Sequence, residues 1–451
     1  MRKKTGIVFF PAFDWSISDM HPEREERLLY TRDQIFEEGV LDLPEIAQYP
    51  PLVATPHDIA RVHFCVPQVD DQVLAAHRIA AGAAMNLSDK IMDGQIKNGF
   101  AIVRPPGHHA MRVVHGNRGF CSINNEAVVV EHLRRTYGIK KIAIVDTDVH
   151  HGDGTQDIFY HDPDVLFISF HQDGRTIFPG TGFADELGGP TAYAKNINIP
   201  LPPGVADKSL LYVVDNLILP ILEDFQPEFV INSAGQDNHY TDPLGSMLIT
   251  AQGYAQLTEK LKPDLAVLEG GYAIESALPY VNLAILLAMA GRDYSHVIEP
   301  DYQPEKLVES PQVTDYVHRM VANIQRVWEK SKAITIEQLC GSNKFYQRQK
   351  SIYYDTEYFE EKQLEKVRTC TKCPGYVVID SHAAQPKIGR CRVLAVSIHN
   401  RCCKQCIEEG LEAYNEAKKD YRYSYVYLQD KTQDNFLTFN REDKSELRTE
   451  G

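Results

Sequence analysis

The sequence predicts an α/β protein, a mostly parallel sheet flanked by helices, with a small cysteine-rich α+β module towards its C-terminal end. Three observations carry this reading. From the first residues to about residue 290, short apolar runs alternate with longer helical patterns, the arrangement that joins parallel strands through crossover helices. Several of those runs end in polar clusters, and open parallel sheets place their ligand sites beyond the carboxyl ends of their strands. Six of the nine cysteines, Cys370, Cys373, Cys391, Cys402, Cys403 and Cys406, crowd into one short stretch.

The strand candidates are Gly6–Phe13, Phe100–Arg104, Lys141–Val145, Val165–Phe170, Asn196–Leu201, Phe229–Ser233 and Leu265–Glu269. Helical patterns fall at Asp71–Met85, Asn124–Tyr137, Ser209–Phe225 and Thr250–Leu261. Beyond Asp301 the pattern turns charged and helical, with amphipathic candidates at Val313–Lys332 and Tyr353–Val367 and no strand signal between them. A helix is expected over Ile407–Lys419, and the polar end Gln429–Gly451 is expected to fray. The chain therefore divides into a main domain at 1–300, a helical linker at 301–368, the Cys-rich module at 369–420 and a polar tail at 421–451.

Composition sets the outer limits. Of 451 residues, 43% are hydrophobic, 24% charged and 10% aromatic, enough for a large core and incompatible with a disordered or collagen-like chain. Lys+Arg 47 against Asp+Glu 62 gives a net charge of −15, which excludes attraction of the whole surface to nucleic acid or anionic lipid. The basic start Met1-Arg-Lys-Lys has the charge of a secretory leader, but the apolar run behind it is broken by Pro11 and Asp14 and reads as a first strand. No window reaches the length of a membrane span, about 18 uninterrupted apolar residues. Clustered cysteines favour a metal site in a reducing compartment over a disulfide framework, and the expected location is cytoplasmic.

The chemistry lies at the strand ends. Asp146-Thr-Asp148-Val-His150-His151-Gly-Asp153 follows the run Lys141–Val145, so strand alternation sends Asp146, Asp148 and His150 to one side. Three such groups on one face are hard to bury without a cation, the bland alternative being a polar strand end before a glycine turn. Arg104-Pro-Pro-Gly-His108-His109 ends another strand, Ser233-Ala-Gly-Gln-Asp237 a third, and Leu265–Glu269 leads through two glycines to Tyr272. Each histidine, or the tyrosine, taken alone reads as an ordinary buried side chain; four strand ends in agreement read as a site. Two Asp and one His give a mixed oxygen and nitrogen donor set that leaves positions open, the pattern of a catalytic zinc, with Fe²⁺ or Mn²⁺ in competition. Such an ion polarises a carbonyl and lowers the pKa of water towards about 7, which is amide or ester hydrolysis. The paired histidines can move protons if carboxylates hold their outward nitrogens, and Asp146 and Asp153 are available.

These strings resemble the histone deacetylase superfamily, which includes bacterial histone deacetylase-like amidohydrolases and acetylpolyamine amidohydrolases, over residues 5–295. The resemblance implies an arginase/deacetylase-like fold, zinc on Asp148, His150 and Asp237, His109 as general base and then acid, and His108 as its electrostatic partner. It further implies that Asp146 backs His108, Asp153 backs His109, and Tyr272 stabilises the oxyanion. Gly119-Phe120 and Phe178-Pro-Gly-Thr-Gly182 match segments that wall the acyl-lysine tunnel. Asp146 and Ser169, with main-chain oxygens of Asp148, His150 and Phe170, match an inner potassium site. Arg27 matches an arginine of the internal cavity near the metal. His115, His151 and His171 read as structural hydrogen-bonding residues. The loop Ala110–Arg118 looks longer than the family's common pattern, and neither Asp89 nor Asp93 is selected as the rim aspartate that grips substrate backbone. Leu244 stands where polyamine-selective relatives carry an acidic gatekeeper, which favours acetyl-lysine.

Cys370-Thr-Lys-Cys373 and Cys403-Lys-Gln-Cys406 are two C-x₂-C knuckles with β-rich runs, Tyr376–Ile379 and Val393–Ile398, between them. Knuckle, hairpin and ligands at a helix start resemble a treble-clef or zinc-ribbon finger in which a second, structural zinc supplies folding energy. Cys402, Cys391 and His399 are alternate ligands. Lys372, Lys387, Arg390, Arg392, Arg401 and Lys404 make the neighbourhood locally basic, which permits contact with nucleic acid or protein, a solvated face being the alternative.

The expected activity is zinc-dependent removal of acetyl or other acyl groups from lysine side chains of a protein or peptide. An acetylpolyamine or other small-molecule amidohydrolase is the alternative within the same chemistry, and a non-catalytic acyl-lysine reader or scaffold the alternative outside it. Binuclear manganese chemistry of the arginase type is disfavoured because its strand end is a D-x-H-x-D string.

Overall fold

The computed structural model describes residues 4–18, 21–66, 75–300, 302–387 and 389–450. The main sheet consists of β1 (Lys4–Phe10), β2 (Ile46–Gln48), β3 (Ile96–Val103), β4 (Ile142–Asp146), β5 (Val165–Gln172), β6 (Asn196–Leu201), β7 (Phe229–Ala234) and β8 (Leu265–Leu268). All pairings are parallel, in the order β2-β1-β3-β8-β7-β4-β5-β6. The four strands whose ends carry the predicted chemistry, β3, β8, β7 and β4, are therefore contiguous at the centre of the sheet. That placement brings side chains far apart in sequence into one crevice.

Each strand alternates between two buried faces. Ile7, Phe100, Ile102, Val145, Leu166 and Ile168 pack on one side; Val8, Ala101, Val103, Ile144, Phe167 and Val267 pack on the other. The covering helices include α1 (Leu29–Glu37), α2 (Ala75–Met92), α3 (Asn125–Tyr137), α4 (Asp153–Phe159), α5 (Ala251–Leu261), α6 (Leu278–Ala290) and α7 (Pro311–Ser331). Their ends follow local chemistry. The Asn124 side chain accepts from Ala127 N–H at the start of α3, and Gly138, with φ of 71°, ends it in the left-handed region. Ser310 caps α7, which buries Val317, Val321, Ile324 and Trp328 against the main domain. The first four residues of the helix expected at 71–85 lie outside the described residues; the rest of it falls within α2, which continues to Met92.

A second sheet follows, formed by β9 (Phe345–Tyr354), β10 (Phe359–Arg368), β11 (Tyr376–Gln385), β12 (Gly389–Ile398), β13 (Tyr425–Asp430), β14 (Asn435–Asn440) and β15 (Glu446–Arg448) in sequential order. Only β12 and β13 pair in parallel, joined through α8 (Lys404–Ala417). Two expectations are corrected here. The helix expected over Tyr353–Val367 is an antiparallel strand pair, so the stretch 301–368 is helical only in its first part and otherwise builds the second sheet. Along β10 the inward positions include Glu361, Gln363 and Glu365, all buried, and these polar side chains hide the period-two pattern. The end of the chain does not fray: β13, β14 and β15 close the sheet, with Gln429 and Asp430 buried.

The second sheet has two covered faces. Leu394, Val396, Ile398, Val426 and Leu428 face α8, whereas Val393, Ala395, Val377, Ile379 and Tyr427 face Phe64, Val66 and Val113 of the main domain. Polar contacts fix this docking: Tyr427 OH donates to Cys65 O at 2.9 Å, Gln429 Nε2 to Ala60 O at 2.8 Å, and Lys431 Nζ pairs with Glu131 at 2.9 Å. Lys350, on β9, bridges Asp157 of α4 and Glu365 of β10, all three side chains being nearly or fully buried. Burial alone would raise Glu365, but Lys350 and its other cationic neighbours hold it well below the usual carboxylate range.

Lys350→Met tests this junction. It leaves two buried carboxylates short of a counter-charge, so stability at pH 7 should fall by about 3–5 kcal/mol in urea melts. The pairing contributes stability above the unfolded carboxylate pKa of about 4 and loses it as pH falls. The deficit of the variant should therefore shrink at pH 4; an equal deficit at both pH values would contradict the bridge.

Candidate metal and catalytic centre

Beyond β3 the chain turns through Gly107 into His108 and His109. Glu269, at the end of β8, accepts from the main-chain N–H groups of Gly107 at 2.8 Å and His108 at 3.0 Å, which sets the turn. His108 Nδ1 donates to Asp146 at 3.1 Å and His109 Nδ1 to Asp153 at 2.7 Å, so both imidazoles are anchored from behind. Their rings lie 4.0 Å apart. Burial, and then the charge of His108, push His109 down to about 3, whereas Asp148 and Asp146 overcome burial and carry His108 up to about 10. His109 is thus the neutral member of the pair at physiological pH.

Asp148, His150 and Asp237 come together as expected, but not by strand alternation. β4 ends at Asp146, and the next residues turn because each carboxylate caps the N–H two residues on: Asp146 accepts from Asp148 N at 3.1 Å, and Asp148 from His150 N at 2.9 Å. His150 Nδ1 then lies 3.1 Å from Asp148 and 3.2 Å from Asp237. One donor atom from each of the three residues falls within 4.8 Å of the others. Asp237 and Asp148 are further tied by Val149 N at 2.8 Å and Gly270 N at 2.7 Å. A Cβ added at Gly235 or Gly270 would collide with these carboxylates, so glycine is required where the backbone passes.

This donor set fits a divalent cation. Asp146, Asp148 and Asp237 are wholly shielded from solvent at 0% exposure, a concentration of negative charge that needs a positive counterpart. Burial and the charge of Asp148 raise Asp237 to about 7, and the two carboxylates outweigh burial to raise His150 to about 10. A divalent ion on the same oxygens would take over that compensating role and release His150 as a neutral nitrogen donor.

The surrounding walls are aromatic. Phe178 lies 5.2 Å from the His109 ring and 6.3 Å from that of His150. Phe120 packs edge-on to Tyr272 at 5.5 Å and to His21 at 4.3 Å. Gly119, with φ of +49°, passes so close to His109 and Phe178 that a side chain there would strike both rings. Arg27 is fully buried, donates to Gly271 O at 2.8 Å and to Glu269 O, and lies 4.9 Å from the Tyr272 ring centroid, so it shapes the glycine turn that delivers the tyrosine. Asp242 accepts from Tyr272 N at 2.6 Å and from Ala273 N at 3.2 Å, and its other oxygen accepts from Leu244 N at 3.0 Å. Leu244 is thereby tied to the Tyr272 loop.

Asp146 and Ser169 are register partners on β4 and β5, and Ser169 Oγ contacts His171 Nδ1 at 2.8 Å. Phe170 follows on β5, its side chain in the core. His115, His151 and His171 are hydrogen-bonded to Ser381, Thr181, and Ser169 with Gly182 O respectively. Asp89 binds His132 and Tyr137, and Asp93 binds Gln95. Among the described residues neither aspartate is hydrogen-bonded to the loops that carry Gly119, Phe120 and Phe178; the carboxylate hydrogen-bonded to Gly119 N–H, at 2.9 Å, is Asp355, in the turn between β9 and β10.

Cys370, Cys373, Cys403 and Cys406 bring their Sγ atoms within 4.8 Å of one another. Cys370 and Cys373 lie between β10 and β11, Cys403 caps α8, and Cys406 is in its first turn. Cys402 Sγ instead donates to Gly375 O at 2.8 Å, and His399 faces Asp162 at 3.4 Å.

Residues 65–288 match the family model for the histone deacetylase domain. A probable deacetylase of Archaeoglobus fulgidus is 42% identical over 332 residues, a match that covers 67% of this chain and 91% of that protein. The chain belongs to the histone deacetylase family. Histone deacetylase 15 of Arabidopsis thaliana is 37% identical over 281 residues, 57% of this chain and 50% of that protein, so this deacetylase spans about half the length of its plant relative. The crystal structure of the HDA15 HD domain superposes with a TM-score of 0.62 at 30% identity, covering 73% of this chain and 99% of that one. Family membership makes this deacetylase a hydrolase and implies a metal, generally zinc.

Sequence reasoning passed over Glu269, Asp242 and Arg118 as site residues. Glu269 and Asp242 act on main-chain N–H groups, and Arg118 donates to Asp153 at 2.6 Å across a long sequence separation, so no spacing announces them. Gly270→Ala should cut metal content at the Asp148/His150/Asp237 site to well below one ion per chain while the fold persists, as read by elemental analysis beside circular dichroism. Full occupancy in the variant would contradict the close approach described.

Proposed function

We propose that this deacetylase is a zinc-dependent enzyme that hydrolyses N-acetyl and other short N-acyl groups on lysine side chains of proteins or peptides, yielding free lysine and acetate. The observation that carries the proposal is the convergence of three metal-capable donors, a carboxylate-anchored neutral histidine and a tyrosine between aromatic walls. Asp148, His150 and Asp237 would hold the ion, which supplies Lewis acidity towards an amide carbonyl and a water molecule.

The chain's own groups do the rest. Phe120 and Phe178 flank the aliphatic lysine stem and exclude water. His109, through the nitrogen not held by Asp153, takes a proton from the attacking water and later delivers one to the departing lysine amine. Asp153 fixes its tautomer, and His108, charged beside Asp146, steadies the negative charge that develops. Tyr272 stays protonated because burial raises its phenol well above the usual range, despite the opposing charge of Arg27, and so can donate to the oxyanion. Asp146, Ser169 and the main-chain oxygens of Asp148, His150 and Phe170 form the proposed potassium site.

We assign the hydrolytic unit to 1–300, and the four thiols of the 369–420 segment would hold a structural zinc. Arg392 is paired with Asp380 and Arg401 with Asp164, which favours a docking role for this face over nucleic-acid contact. No helix among the described residues is long and apolar enough to cross a membrane. The nine free cysteines suit the reducing cytoplasm proposed as its location.

A metal-loaded assay of acyl-lysine peptides beside acetylputrescine, with a hydroxamate as control, tests the substrate class. Faster turnover of the peptides is expected, and preference for the diamine would assign the small-molecule reading instead. Tyr272→Phe should keep its metal and slow turnover about a hundredfold or more. Unaltered turnover would remove the phenol from the mechanism. Cys373→Ser should lower the zinc stoichiometry and destabilise the C-terminal sheet while the Asp/His site stays loaded; loss of that ion instead would merge the two sites.

A further inference from the structure

We infer that the tip of the β9–β10 hairpin, residues 353–358, is a positioning element of the active site, with Asp355 and Glu357 holding the loop that orients the general base. The observations are a chain of contacts running from the second sheet to His109. Tyr354, fully buried, donates its hydroxyl to Val113 O at 2.7 Å. Glu357 accepts from Asn117 N–H at 2.8 Å, Thr356 Oγ1 donates to the Asn117 side chain at 3.1 Å, and Tyr353 O accepts from the Arg118 guanidinium. Asp355 accepts from Gly119 N–H at 2.9 Å. Arg118 then donates twice to one oxygen of Asp153, from Nε at 2.9 Å and Nη2 at 2.6 Å, while the other oxygen takes the His109 Nδ1 hydrogen bond. Gly119 abuts the His109 ring directly.

The loop 113–119 thus takes its hydrogen-bond partners from the second sheet at most of its residues, and the residues that supply them lie outside the 65–288 stretch matched by the family model. Ordinary packing of one domain on another would not need two carboxylates aimed at the main-chain N–H groups of Asn117 and Gly119 beside His109. The Ala110–Arg118 loop is thus held by an element contributed from elsewhere in the chain. The role rests on the hydrolytic reading above.

The test uses the zinc-loaded 451-residue chain and the variants Asp355→Ala, Glu357→Ala, the double variant and Asp355→Asn. The double variant should lose about 10- to 100-fold in kcat on an acetyl-lysine peptide, with KM and zinc content little changed, because a small misplacement of a catalytic group costs rate rather than binding. Asp355→Asn keeps an oxygen acceptor for Gly119 N–H and should recover most of what Asp355→Ala loses. Amide hydrogen exchange over residues 112–121 should accelerate in the double variant while the melting midpoint of the main domain holds. Wild-type kcat in the double variant, equal losses in Asp355→Ala and Asp355→Asn, or unchanged exchange would each overturn the inference. A wild-type protein inactive on every acyl amide would instead remove the hydrolytic reading, and the exchange measurement would still decide whether the turn holds the loop.

Discussion

Everything at this site depends on the confinement of three carboxylates, Asp146, Asp148 and Asp237, at the ends of two adjacent strands in the middle of a sheet. They have no surface open to bulk solvent, so their charge has to be balanced by groups built into the fold. His108 and His150 supply part of that balance, main-chain N–H groups of Val149 and Gly270 another part, and a divalent ion is the remaining group with the right charge and size. The glycines at 235 and 270 are the geometric cost of bringing backbone so near. The same burial, and then the charge of His108 beside it, hold His109 below the usual imidazole range.

The second sheet changes how the molecule is to be regarded. It is not an appendage on a linker, because one of its faces completes a hydrophobic core with Phe64, Val66 and Val113, and its first hairpin reaches the loop beside His109. The four-thiol cluster stands where β10 meets β11 and where α8 starts, so a metal there would fix the same hairpin at its other end. Catalytic geometry and folding of the C-terminal part are in this sense coupled through β9 and β10.

The main sheet and the donor set were legible in the sequence because buried parallel strands read as continuous apolar runs and because Asp148, His150, Asp237 and the His108-His109 pair all stand at run ends. The edge strand β2, three residues long, left no such run. The second sheet was hidden for a physical reason: Glu361, Gln363 and Glu365 point inward, Glu361 accepting from Tyr354, Ser381 and Gln363 and Glu365 meeting Lys350 and His161, so a pattern built on hydrophobicity cannot register the strand. The hold on the loop beside His109, the proposed general base, was hidden too, since Asp355 and Gly119 are 236 residues apart and meet through a main-chain donor that any residue would offer. Alternation also misassigned how Asp148 and His150 converge, a job done by carboxylate-capped turns.

The most direct measurement of the central claim is X-ray absorption at the zinc edge on the zinc-loaded 451-residue chain. The account predicts two ions per chain and a mean first shell that mixes oxygen or nitrogen at about 2.0–2.1 Å with sulfur at about 2.3 Å. A single ion per chain in an all-sulfur shell would mean that the buried carboxylates hold no metal, and the account would be wrong.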